Sequence, residues 1–120
     1  MTPQEIFNFS VNHMREQGVP SKDPHDGMCL YLDDEGKSCA VGCFIEDPEL
    51  AHEMDENPEG STIDELIKEP YFRRKLPDWM ASNTDLLISL QELHDTHLGY
   101  PSFESRLRVF ADYYKLEVPK

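Results

Sequence analysis

Three cysteines and one histidine have the residue types of a structural zinc site. They are His25, Cys29, Cys39 and Cys43, in the spacing H-x3-C-x9-C-x3-C. Four nitrogen and sulfur ligands are the usual set for such a site. If Cys39 and Cys43 lie in one straight strand, however, their Cα atoms are about 13 Å apart, which is too far for one ion. We therefore predict no metal here and three small thiols packed in the core, a common environment for free cysteine.

A second group of polar residues lies in one predicted helix near the C-terminus. Gln91 is three positions from His94 and four from Asp95, and His94 is three from His97, so each of these pairs is adjacent on a helix surface. A histidine beside a carboxylate can bind a metal or transfer a proton. His94 and His97 also lie where positive charge meets the negative end of the helix dipole. A ligand pocket between this helix and the cysteine-bearing strands has five candidate lining residues: Cys39, Cys43, Gln91, His94 and Asp95. No complete catalytic set accompanies them, so the catalytic residues stay unassigned and a non-enzyme is favoured.

The third group is acidic. Seven acidic residues and no basic one fall within residues 46–59: Glu46, Asp47, Glu49, Glu53, Asp55, Glu56 and Glu59. A run of like charges is most often a solvated face. The functional alternatives are a contact surface for a basic groove on another protein, or an imitation of DNA phosphates. Imitation of DNA needs carboxylates spread along an elongated face, so the single dense cluster favours the protein partner.

The net charge has the same uneven distribution. The chain of 120 residues has 24 acidic and 11 basic side chains, a net charge of −13. Residues 1–60 contribute −11 of this and residues 61–120 only −2. Such a balance argues against direct binding to nucleic acid or to an anionic membrane. There is no signal-peptide pattern, no apolar run of about 18 residues, and an odd number of cysteines. We expect a cytoplasmic protein with reduced thiols and no cofactor.

Helix-start signals and apolar spacing predict the elements that position these residues. Thr2, Pro3 and Glu5 have the pattern of a capping box at the start of a first helix. An Asp47-Pro48 step opens a short acidic helix. The longest periodic segment has a leucine stripe, and a last helix follows Ser102. The stripe consists of Leu86, Leu87, Leu90 and Leu93.

Two apolar runs, residues 28–32 and 38–45, flank the turn-forming residues 33–37 and predict a β-hairpin. Gly42 within the second run marks a bulge or a close approach of another backbone. A hairpin of this size is not stable alone, so helices should pack on it. The predicted fold class is α+β: a small antiparallel β-hairpin or sheet packed against four to five α-helices, with residues 1–120 forming a single domain.

Two segments carry a family resemblance. The C-A-V-G-C block at residues 39–43 and the L-Q-E-L-H-D segment at residues 90–95 resemble a family of small uncharacterised proteins from tailed bacteriophages and prophages. The resemblance covers about residues 3–110 and departs from the family after Cys43, where F-I-E-D replaces the commoner L-I-P-D. It implies a phage source and the cytosol of a bacterial host, and it carries no established activity.

These observations predict a small acidic phage accessory protein that binds a host or phage macromolecule, in counter-defence or host takeover. The alternative is a ligand- or metal-binding domain, or an enzyme, with a pocket where the hairpin meets the helices. A DNA mimic is the third possibility. Oligomeric state is left open.

Overall fold

Helices dominate the fold. The computed structural model describes residues 1–19, 21, 30–58, 62–97 and 102–120, with the side chains of residues 95–97 excepted. Within these ranges there are seven α-helices and one short 3-10 turn at Gly42–Phe44. The helices are α1 Pro3–Gln17, α2 Pro48–Asp55, α3 Ile63–Ile67, α4 Pro70–Lys75, α5 Asp78–Ala81, α6 Thr84–His97 and α7 Phe103–Tyr114. No helix among the described residues is both long and apolar enough to cross a membrane.

Helix α1 begins and ends as its sequence indicates. The Glu5 backbone amide donates to the Thr2 hydroxyl over 3.2 Å, and the Thr2 amide donates to the Glu5 carboxylate over 2.9 Å. This reciprocal pair confirms the predicted capping box. Gly18 ends the helix in the left-handed region, at φ 72°, and donates to the Met14 carbonyl. A cap of this kind favours glycine because a Cβ is strained there.

Helix α6 is the centre of the core. It packs against α1, α3, α5 and α7. Its predicted leucine stripe is buried, since Leu86, Leu87, Leu90 and Leu93 are each at most 5% exposed. Burial of four leucines on one face supplies roughly 6–12 kcal/mol of gross hydrophobic stabilisation, the reason a helix with this pattern lies inside.

The predicted α+β class is wrong, because the described residues form no sheet. Their only β feature is a single antiparallel bridge between Leu32 and Ser38. Helix side chains bind the backbone groups that a neighbouring strand would otherwise pair. The Tyr31 and Leu32 amides donate to the Asp55 carboxylate over 2.7 and 3.3 Å. Ser38 donates its amide to Gln17 Oε1 over 3.0 Å and accepts from Gln17 Nε2 over 2.9 Å. Side chains of α1 and α2 thus hold this segment as a loop.

The second predicted strand coils instead of extending. The Cys43 amide donates to the Cys39 carbonyl over 3.1 Å, and the Ile45 amide donates to the Gly42 carbonyl over 2.9 Å. These local bonds are helical in type, so the run cannot pair as a strand. A short apolar run is compatible with either a buried strand or a buried helical turn, and for this reason the prediction of a second strand was wrong. The predicted close approach at Gly42 is confirmed: a Cβ added there would lie 2.0 Å from the Tyr31 carbonyl oxygen.

The C-terminal tail returns to α1. Gln4 donates to the Glu117 carbonyl over 2.8 Å and accepts from its amide over 2.9 Å. Arg15 donates to the Pro119 carbonyl over 2.6 Å and forms an ion pair with Glu104 of α7, also over 2.6 Å. The first and last helices are therefore joined at both the tail and the start of α7.

Candidate functional site

Helix α2 presents part of the predicted acidic cluster to solvent. Asp47 caps the helix, its carboxylate accepting from the Glu49 amide over 3.0 Å. Four carboxylates of the cluster are exposed: Glu46, Asp47, Glu49 and Glu56. Glu49 lies in the first turn of α2 and Glu56 is its C-terminal cap, seven positions and about 10.5 Å of rise further along the chain. Glu59 lies outside the described residues.

Asp55 has a structural position rather than a surface one. Its half-buried carboxylate accepts from the Tyr31 and Leu32 amides, as described above. Burial raises the pKa of Asp55, and the two backbone hydrogen bonds oppose that rise only in part. This carboxylate fixes the loop to α2.

Glu53 faces the basic helix α4. The Tyr71 hydroxyl donates to the Glu53 carboxylate, and the Lys75 ammonium lies 4.7 Å from the centre of the Tyr71 ring. The pKa of Lys75 is raised, first by its interaction with Tyr71 and then by the charges of Glu53 and Asp47. Helix α4 therefore offsets negative charge on one side of α2. The carboxylates of Glu46, Glu49 and Glu56 have no such partner among the ion pairs and hydrogen bonds of the described residues.

An exposed aromatic stack adjoins the start of α2. Phe9 of α1 is 49% exposed and stacks on Phe44, with ring centres 4.8 Å apart. Phe44 in turn meets Trp79 edge-on at 5.1 Å. Phe44 precedes Glu46 by two residues and Asp47 by three, so their Cα atoms are within about 11 Å. We name Phe9, Phe44, Glu46, Glu49 and Glu56 the acidic–aromatic surface.

Sequence reasoning missed the aromatic half of this surface. The apolar stripe of α1 consists of Ile6, Phe7, Val11 and Met14, all of them buried. Phe9 lies outside that stripe, and a large aromatic residue at such a position in a helix indicates a ring exposed to solvent.

The two described cysteines differ in burial, and only Cys39 belongs to the buried core. Cys39 is 1% exposed, and its sulfur accepts from the Gly42 amide over 3.2 Å. Cys43 is half-buried and donates to the Ala40 carbonyl over 3.3 Å. Burial raises the pKa of the Cys43 thiol well above its ordinary value, so it is protonated at neutral pH. The described residues contain no group of three or more His, Cys, Asp or Glu side chains placed to hold a metal. His25 and Cys29 lie outside them.

The predicted pocket loses one wall with the hairpin. Gln91 is half-buried and His94 is fully buried on α6, while the Asp95 side chain lies outside the described set. A groove of about 590 Å³ exists elsewhere, between α6 and α7. Its lining includes Ser89, Leu93, Arg106, Val109, Phe110 and Tyr113, and none of the five predicted pocket residues.

Comparison of this chain with protein-family models, with curated proteins and with solved structures gives no significant match.

Proposed function

We propose that this chain is a binding protein that holds a basic surface of another protein against its acidic–aromatic surface. The observation that carries the proposal is the short separation between the exposed carboxylates of Glu46 and Asp47, which lead into α2, and Phe44, whose ring stacks on the exposed Phe9 ring. The contacts of two other residues in the cluster support the proposal. Asp55 and Glu53 accept hydrogen bonds from groups of the same chain, whereas the exposed carboxylates of Glu46, Glu49 and Glu56 are available to a partner.

The two halves of the surface have different physical roles. Aromatic side chains supply much of the binding energy at protein interfaces because they remove a large apolar area from water. Carboxylates at the rim steer a basic partner and exclude acidic ones. Phe9 and Phe44 are already stacked, so binding costs little side-chain order at this point.

The partner class follows from charge. A net charge of −13 opposes nucleic acid and favours a basic protein face. The resemblance to small tailed-phage proteins suggests a host or phage protein in the cytosol of an infected bacterium as that partner, consistent with an accessory role in counter-defence or host takeover. A DNA mimic would instead compete with DNA for the captured protein.

The test is affinity capture from infected and uninfected bacterial extracts with three baits. The first is the wild-type chain. The second carries Glu49→Lys and Glu56→Lys. The third is the matched control, Asp34→Lys with Glu117→Lys, which alters two exposed acids outside residues 46–59. Both variants change the net charge from −13 to −9, so bulk charge is equal between them.

The proposal predicts one defined basic protein retained by the wild type and the control and lost with the α2 variant. The variant Phe9→Ser should also weaken capture, because it removes the exposed ring but no charge. Equal retention of that protein by the three baits and by the Phe9→Ser variant, or release of it by DNA competition, would contradict a specific basic-protein contact at this surface.

A further inference from the structure

The outer face of α7 has two large apolar side chains among its exposed residues. Val109 is 70% exposed and Tyr113 is 79% exposed. They are four positions apart and so lie on one face, beside the groove between α6 and α7. This surface is separate in sequence from the acidic–aromatic surface, and the proposed function does not use it.

Within residues 106–113 of α7, the charge of the exposed side changes sign at Val109. The exposed bases Arg106 and Arg108 precede this residue, and the exposed Asp112 follows it together with Tyr113. A parallel copy of the helix would place base against base. An antiparallel copy places the basic half of each helix against the acidic and aromatic half of the other.

We propose that α7 pairs antiparallel with α7 of a second copy of this chain, about a two-fold axis beside Val109. Around that axis, residues whose numbers add to about 219 lie at the same level, since each residue adds 1.5 Å of rise. Arg106 is then level with Tyr113 of the second copy, and Arg108 lies within about 3 Å of rise of its Asp112.

The edges of the helix agree with this register. Arg106 and Tyr113 are seven positions apart and share one edge, whereas Arg108 and Asp112 are four apart and share another. A two-fold axis brings each edge against the same edge of the copy. One edge then has a guanidinium over a tyrosine ring, and the other has a charge pair. Among the described residues, none of the three α7 side chains Arg106, Arg108 and Asp112 forms an ion pair within its own chain.

The test uses the charge pair, because each contact occurs twice in a symmetric dimer. In the Arg108→Glu variant, the new carboxylate at position 108 faces Asp112 of the second copy, so two acids meet. In the Asp112→Lys variant, the new ammonium at position 112 faces Arg108 of the second copy, so two bases meet. Each single variant should self-associate about tenfold more weakly than the wild type. An equimolar mixture of the two variants has both pairs with opposite signs, so it should recover a dimer that neither forms alone.

Sedimentation equilibrium over a dilution series measures these outcomes on the full chain, and circular dichroism checks that each variant stays folded. The wild type should approach twice the single-chain mass of 13.9 kDa at high concentration. Val109→Ser should lower that association without unfolding the chain, since the residue is exposed. A wild type that stays at 13.9 kDa throughout, or a mixture that associates no better than its components, overturns the proposal.

Discussion

Replacing Gly42 with alanine should destabilise the chain strongly although the change adds one methyl group. The new Cβ would lie 2.0 Å from the Tyr31 carbonyl oxygen, whereas real Cβ contacts essentially never fall below 3.0 Å. The atom it meets belongs to the backbone, so no side-chain rotation relieves the clash. The Tyr31 backbone or the 39–45 turn must therefore move by about 1 Å.

The magnitude follows from what such a movement breaks. Forcing an extra methyl into a packed site costs about 1–3 kcal/mol. A 1 Å shift also stretches the 2.7 Å bond from the Tyr31 amide to Asp55, and a hydrogen bond to a charged group contributes about 1.5–3 kcal/mol. These two costs are not fully additive. We expect a loss of about 3 kcal/mol, a large share of the ~5–15 kcal/mol that stabilises a typical domain.

Urea unfolding followed by the fluorescence of Trp79, the only tryptophan, measures this loss. Gly36→Ala is the matched control: Gly36 has φ 83°, and nothing lies within 4 Å of its added Cβ. That control should cost about 1 kcal/mol from backbone strain alone. A Gly42→Ala variant that unfolds within about 0.5 kcal/mol of the wild type, or that is more stable than Gly36→Ala, would refute the packing of this turn on Tyr31.

Three further predictions concern the loop and the thiols. Burial raises the pKa of Asp55 above 3.8, so the folded state holds its proton more tightly than the unfolded chain does. The resulting stability is complete below about pH 3.8 and is lost as the pH rises through the folded pKa. Asp55→Asn should therefore remove this pH-dependent part of the stability, measured as the urea midpoint at a series of pH values. A variant whose urea midpoint changes with pH as the wild type's does would contradict the prediction. Gln17→Ala should speed hydrogen exchange of the Ser38 amide at least tenfold, since that amide loses its acceptor; unchanged protection would show another acceptor. The buried Cys39 should react with a thiol reagent only after unfolding, as mapped by mass spectrometry. The half-buried Cys43 should react slowly in the native state because its raised pKa keeps the thiol protonated, and fast native labelling of either cysteine would contradict this prediction.

Helix-start residues and apolar periodicity predicted correctly those helices whose sequences contain such signals. The capping box at Thr2 and the Asp47-Pro48 step each begin a helix where the sequence indicates. The leucine stripe of α6 is buried as predicted, because a long periodic segment defines its own inner face. The short helices α4 and α5 are too brief to show a period.

The hairpin was mispredicted because its alternative depends on distant residues. Gln17 and Asp55 bind the backbone of residues 31–38 from helices on either side in sequence. An apolar run of four to eight residues contains no information about side chains elsewhere in the sequence that bind its backbone. Gly42 was recognised as a close approach, but the partner, Tyr31, could only be identified from the structure.

At the candidate site, too, the sequence identifies the acidic cluster but not the contacts of its individual residues. Its composition is evident from sequence, yet Asp55 and Glu53 differ from Glu49 and Glu56 only through contacts made in the fold. The neighbouring Phe9–Phe44 stack joins residues 35 positions apart, a pairing that no local pattern contains. The fold therefore narrows a run of seven acids to a smaller surface with an aromatic border.

The most direct test of the proposed binding surface is the dissociation constant of the captured partner, titrated in purified form against the two charge-matched variants. Glu49→Lys with Glu56→Lys should weaken binding at least tenfold, because it reverses both carboxylates at the contact. Asp34→Lys with Glu117→Lys should change it less than threefold, and added salt should narrow the difference. Equal affinities for the two variants would show that the outer face of α2 is not the binding surface.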